Sequence, residues 1–202
     1  MALKNGLLEE AQQKAKEAAK LSLFRKLKHP EEIETAAKRT NPKYGEIGFD
    51  NNCQRCVVAY LLRRLGYDVT ARKCPEIDIF DEAGANGSVD RWTLAFTSFK
   101  FEQITPKKKK IPTIGDYMDS IRRRVESEGD GAKFIFRFKT KHSFGGGGHV
   151  AIIENLKGKL IFVDPQDGTV KTPDFNTIIL ETMAVVNATT IEFSKNIFNL
   201  VQ

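Results

Sequence analysis

The sequence predicts an α+β fold in which a leading helix packs on an antiparallel sheet. Three observations carry that reading: helical apolar spacing from Asp50 to Gly66, a succession of strand-like runs from Lys133 onward, and the short turns that join them. At 202 residues, 41% of them hydrophobic, the chain suits one domain with an appended arm. Fourteen Phe, four Tyr and one Trp supply more large apolar surface than a disordered chain carries.

Residues 2–28 read as one long amphipathic helix, with Leu7, Leu8, Ala11, Ala15, Ala18 and Leu23 recurring at helical spacing. His29-Pro30 ends it, Glu31 to Lys38 makes a second short helix, and Thr40-Asn41-Pro42 begins turn chemistry. We therefore expect a helical arm or linker over 1–40 and the main domain over 41–202. Asp50, Asn51 and Asn52 are N-cap candidates for the helix that follows, and Gly66 is its C-terminal stop. On that helix Cys53, Cys56, Val57, Tyr60 and Leu61 fall on one stripe. Tyr67 to Ala71 reads as a short strand, residues 75–92 as a loop-rich crossing, and Thr113 to Glu128 as another helix. Strands are expected at Lys133–Lys139, His149–Glu154, Leu160–Asp164, Met183–Val186 and Thr190–Phe193, with a tight turn at Asn155–Gly158.

The charge balance excludes little. A net charge of +6 permits contact with an acidic surface, but Lys107–Lys110 between two prolines is most simply a solvated loop. Nucleic acid, for which that run and Arg122–Arg124 are the only support, is not an expected partner. No apolar run approaches the roughly 20 residues of a bilayer span, and residues 1–20 lack the apolar core of a signal peptide. Three cysteines, Cys53, Cys56 and Cys74, are an odd and sparse set, which reads as free thiols in a reducing compartment.

The chemistry concentrates at Cys53, His149 and Asp164. A thiol in the first turn of a helix lies at the positive end of the helix dipole, which favours thiolate. Across a hairpin with a short turn, the start of the first strand lies beside the end of the second, so His149 and Asp164 are expected to be neighbours. A thiolate, an imidazole that holds its proton and a carboxylate that orients the ring make a nucleophilic triad. Singly, each has a structural reading: a buried Cys is a small hydrophobe, and Asp164-Pro165-Gln166-Asp167-Gly168 is a good turn. Gly145–Gly148 allows close backbone approach before His149 or serves as a linker. Cys53-Gln54-Arg55-Cys56 as a redox pair lacks the preceding strand, and as part of a zinc site it lacks nearby partners, so no metal and no cofactor are expected. His142 competes with His149 as base without a carboxylate at a hairpin-paired position, and Cys56 is a rival nucleophile one turn deeper.

Asn52-Cys53-Gln54-Arg55-Cys56-Val57-Val58-Ala59-Tyr60 with Arg63-Arg64-Leu65-Gly66-Tyr67 resembles the opening motif of the papain-fold toxin domains of bacterial polymorphic toxins and phage minor head proteins. Gly148-His149-Val150 and Phe162-Val163-Asp164-Pro165-Gln166-Asp167-Gly168 are similar to that family's closing motif. The resemblance runs from about residue 41 to the end. It implies a papain-like fold with Cys53 as nucleophile, His149 as general base and then acid, and Asp164 as the orienting group. It also implies a protein substrate, attacked as a glutamine deamidase or as a peptidase, and a toxin or effector acting in the bacterial cytoplasm or a target cell. An immunity protein or a phage structural partner would accompany the two settings of the family, and a virion-associated module without catalysis is the alternative. The lysosomal papain-like peptidases take an oxyanion donor from a Gln a few residues before the nucleophile, and Lys43–Asn52 contains none. Asn52, Gln54 and Gln166 are the replacement candidates, beside the Cys53 backbone N–H.

Overall fold

Apolar alternation builds the sheet. A computed structural model describes residues 21–75, 91–106, 111–144 and 147–202. Among them six strands form one sheet: β1 (Glu102–Gln103), β2 (Lys133–Thr140), β3 (Gly148–Leu156), β4 (Lys159–Asp164), β5 (Thr169–Val170) and β6 (Ile178–Asn187). Their order is β1-β6-β2-β3-β4-β5, antiparallel at every pairing. Phe134, Phe136, Ala151 and Ile153 point to one face, and Ile135, Val150 and Ile152 to the other. Both faces are covered, which makes two cores rather than one.

The first core lies under α1 (Ile33–Thr40) and α2 (Cys53–Arg64), the second under α3 (Ile114–Glu126). Every residue of α2 from Arg55 to Arg63 is buried, so the stripe expected from spacing is only part of its contact surface. The far side is closed by α1, by Trp92 and by the C-terminal Ile197, Leu200 and Val201. A Schellman motif ends α2: Tyr67 N–H bonds Leu62 C=O at 3.0 Å, Gly66 N–H bonds Arg63 C=O at 2.9 Å, and Gly66 has φ +88°. The helix α3 starts on a capping box in which Thr113 and Asp116 exchange hydrogen bonds.

Two buried ion pairs fasten α2 to its neighbours. Arg63 grips Glu31, just before α1, through Nε at 2.5 Å and Nη2 at 2.7 Å. Burial pushes the Glu31 carboxyl up, but Arg63 and Arg39 outweigh it and hold it below the usual range. On the sheet side, Arg64 takes both oxygens of Glu154 at 2.9 Å, and Tyr60 Oη donates to the same carboxylate at 2.7 Å.

Several expectations change. The boundary expected near residue 40 falls within a packed stretch, because Ile33, Ala36 and Ala37 of α1 belong to the same core as α2. The expected arm helix does not continue to residue 28: Lys26 bridges Tyr67, Leu27 N–H bonds Gly66 C=O at 2.7 Å, and Phe24 stacks on Phe198. Pairing with the chain after α2 there overrides helical spacing. The expected strands at 67–71 and 190–193 reduce to isolated bridges at Tyr67, Ala71 and Phe193. Expectations for residues 1–20, 76–90, 107–110 and 145–146 lie outside the described residues. No helix among the described residues is long and apolar enough to cross a membrane.

Candidate active site

The β3–β4 hairpin makes the acid–base pair. Leu156 pairs with Lys159, leaving Lys157 at φ +52° and Gly158 at φ +78° as a two-residue turn of type I′, the turn whose twist matches the flanking strands. That short turn fixes the register, and the register brings the start of β3 beside the end of β4. His149 Nε2 lies 2.7 Å from Asp164 Oδ2. The other carboxylate oxygen, Oδ1, accepts the Gln166 backbone N–H at 3.0 Å, so Asp164 is held from both sides. The His149 ring also packs edge-on to Phe138 at 5.4 Å between centroids, which restricts its rotation.

The thiol comes from the other layer. Cys53 is the first residue of α2, half-buried, and it lies near enough to the His149 imidazole to favour its charged form. With Nε2 on Asp164, the nitrogen left for the thiol is Nδ1. Burial opposes the imidazolium, but the Asp164 hydrogen bond and charge, with Cys53 beside the ring, outweigh it and raise His149 to about 10. Cys56 is fully buried, and burial, followed by the charge at Cys53, pushes its thiol well above the ordinary value. Its Sγ–H donates to Asn52 Oδ1 at 3.1 Å. Cys74 is half-buried with its Sγ 3.8 Å from Pro75 C=O, and His29 and His142 are exposed. No group of three or more metal-ligating side chains occurs among the described residues.

The three side chains expected to serve an oxyanion sit differently from one another. Asn52 is buried, does not cap α2, and spends its Nδ2 on Arg72 C=O at 3.2 Å and Asn41 Oδ1 at 3.4 Å. Gln166 donates Nε2 to the Asp50 backbone C=O at 2.6 Å, tying the turn after Asp164 to the turn before Cys53. Both amides thus donate to partners within the protein. Gln54 is half-buried, and its Oε1 accepts the Trp92 backbone N–H at 3.2 Å, which leaves Nε2 as a donor at the first turn. Asn52 C=O accepts the Arg55 and Cys56 N–H groups at 2.9 and 3.1 Å, and without a capping side chain the Cys53 and Gln54 N–H groups of α2 are left for a negative oxygen.

Asn41 was not among the expected site residues. Its amide joins the 49–52 turn to the Gln166 turn, and an Asn before Pro signals only a local turn. A small open cleft beside His149 and Asp164 is lined by Phe138, Ala151, Phe162 and Lys171.

Among known proteins, no curated protein and no solved structure matches this chain. A family described as papain fold toxin 1, glutamine deamidase, matches residues 51–169, a span that begins two residues before Cys53 and closes on β5 after Asp164. That span takes in more than half of the chain and the whole run from the thiol helix to the acid–base hairpin, so the protein belongs to the glutamine deamidase family of papain-fold toxins.

Proposed function

We propose that this chain is a cysteine-dependent deamidase that converts a glutamine side chain of a protein into glutamate. Membership in the family makes it a hydrolase-type enzyme of the toxin class. The observation that carries the finer reading is the imidazole held between the Asp164 carboxylate at 2.7 Å and the Cys53 thiol at a helix start.

Each residue then has one task. The Cys53 thiolate attacks the carbon of the glutamine carboxamide, and the negative oxygen of the tetrahedral adduct settles on the backbone N–H groups of Cys53 and Gln54, with Gln54 Nε2 as side-chain donor. The His149 imidazolium gives its Nδ1 proton to the departing nitrogen, ammonia leaves, and a thioester to Cys53 remains. Now neutral, His149 takes a proton from water, which adds to the thioester; collapse releases the glutamate carboxylic acid and the Cys53 thiol, and the proton returns to the imidazole. Asp164 keeps Nε2 protonated and directs Nδ1 at the reacting atoms. Asn52 and Gln166 act as scaffold in this reading. The substrate is a protein of the cell that receives the toxin, and an immunity protein covering this face would protect the producer.

The test is mass spectrometry of candidate host proteins exposed to the chain. Deamidation adds about one mass unit at a glutamine, whereas a peptidase would leave a cut chain. Cys53→Ala should abolish the change while the protein stays folded. Activity that survives Cys53→Ala but not Cys56→Ala would overturn the assignment. A virion-associated module without catalysis would instead show no selectively reactive thiol.

A further inference from the structure

We infer that Asn41 is a positioning residue that sets the Cys53 thiol against the His149–Asp164 pair, by clamping the loop that carries the acid to the loop that carries the thiol. This inference rests on the reading of the site given above and extends it to a residue outside the segment that the family matches.

Thiol and acid–base pair lie on separate layers, so something must fix their spacing. Asn41 sits at the C-terminal end of α1, buried, with its side chain between the two turns. One amide group, Nδ2, lies 2.8 Å from Phe49 C=O and 2.8 Å from Gln166 C=O, with Asn52 Oδ1 at 3.2 Å. Phe49 and Asn52 belong to the turn that delivers Cys53. Gln166 belongs to the turn after Asp164, and its own N–H holds Asp164 Oδ1. A planar amide with two hydrogens in fixed directions can satisfy both carbonyls only at one separation of the loops. The Gln166 Nε2 bond to Asp50 C=O gives the same two turns a second tie.

Close packing of α1 beneath the acid loop supports this arrangement. Gly168, at φ +73°, brings that turn so near to α1 that an added Cβ would stand 3.2 Å from Lys38 Cα. Thr40 is also buried at the same helix end, yet its hydroxyl bonds only Ala36 C=O inside α1, at 2.8 Å. It therefore serves as a matched control, a buried polar side chain in the same place without the bridge.

The experiment uses the full chain and the pH profile of Cys53 alkylation by iodoacetamide, a readout that general destabilisation does not move. Wild-type protein is expected to alkylate rapidly at about pH 6, where an unassisted thiol with its pKa near 8.5 does not. Asn41→Leu should lower the rate at pH 6 at least about tenfold and leave the rate at pH 9.5 nearly unchanged, because the thiolate then forms without the imidazolium. Thr40→Ala should keep the wild-type profile. If Asn41→Leu fails to fold, Asn41→Ser, whose hydroxyl reaches at most one of the two carbonyls, should show the same displacement. A folded Asn41 variant with the wild-type profile, or a Thr40→Ala profile displaced as far, would overturn the inference. A wild-type thiol that is slow at pH 6 would instead sink the reading of the site itself, and the inference with it.

Discussion

Replacing Asp164 by Asn tests the site at its most constrained point. The carboxylate accepts from two sides, from Gln166 N–H on Oδ1 at 3.0 Å and from His149 Nε2 on Oδ2 at 2.7 Å. Asparagine has one oxygen and one NH2 group. The backbone N–H of Gln166 is only ever a donor, so the oxygen must face it and the NH2 must face Nε2. That orientation forces the imidazole proton onto Nδ1, toward Cys53, and the base is lost. The charge that raises His149 to about 10 is lost as well. A wrong tautomer in a triad costs about 10⁴-fold in turnover, and loss of a charge-assisted hydrogen bond costs about 1.5–3 kcal/mol. We expect Asp164→Asn to lower glutamine deamidation by about 10³–10⁴-fold and to move Cys53 alkylation at pH 6 toward that of an ordinary thiol. A variant within about tenfold of wild type, with an unchanged alkylation profile, would refute the tautomer argument.

Other outcomes follow from the same geometry. Glu154→Ala leaves Arg64 and Tyr60 without their buried partner and should cost about 3–5 kcal/mol in urea unfolding; a loss below about 1 kcal/mol would count against that pairing. Gly168→Ala places a methyl 3.2 Å from Lys38 Cα at φ +73°, and should lower stability by about 1–3 kcal/mol while slowing Cys53 alkylation at pH 6. His149 is about 10 in the folded protein against an ordinary 6.5, so its contribution is complete below about pH 6.5 and fades as pH rises through about 10. The stability difference between wild type and His149→Gln should therefore shrink from neutral pH to about pH 10.5, and a difference that stays constant would contradict it.

What could be read from the sequence was whatever local chemistry decides. The proximity of His149 and Asp164 followed from a short turn between two strands, because a two-residue loop allows one register. Cys53 at a helix start followed from the polar run before it and the apolar spacing after it. The oxyanion side chains were not legible in the same way. Asn52 has the composition of an N-cap, but its amide turns to Asn41 and Arg72, partners set by the packing of α1 and of the chain after α2. Likewise α1 looked like part of an arm, since a short helix with a few apolar residues shows no sign of what it covers. Only the tertiary structure makes Ile33 and Ala37 part of the core and Asn41 a bridge. The strand β6 extends well beyond the apolar run Met183–Val186 because the ladder with β2 continues past an irregularity near Arg137.

The division of the site between two layers has a consequence for the timing of reactivity. His149 and Asp164 share one hairpin, a local structure that closes early, whereas Cys53 reaches them only when the helical layer docks on the sheet across most of the domain's length. A chain still being synthesised, or one threaded unfolded through a narrow passage, carries an ordinary cysteine and an ordinary histidine. The chemistry proposed for the site needs that long-range contact, so a chain whose helical layer has not docked on the sheet is inert.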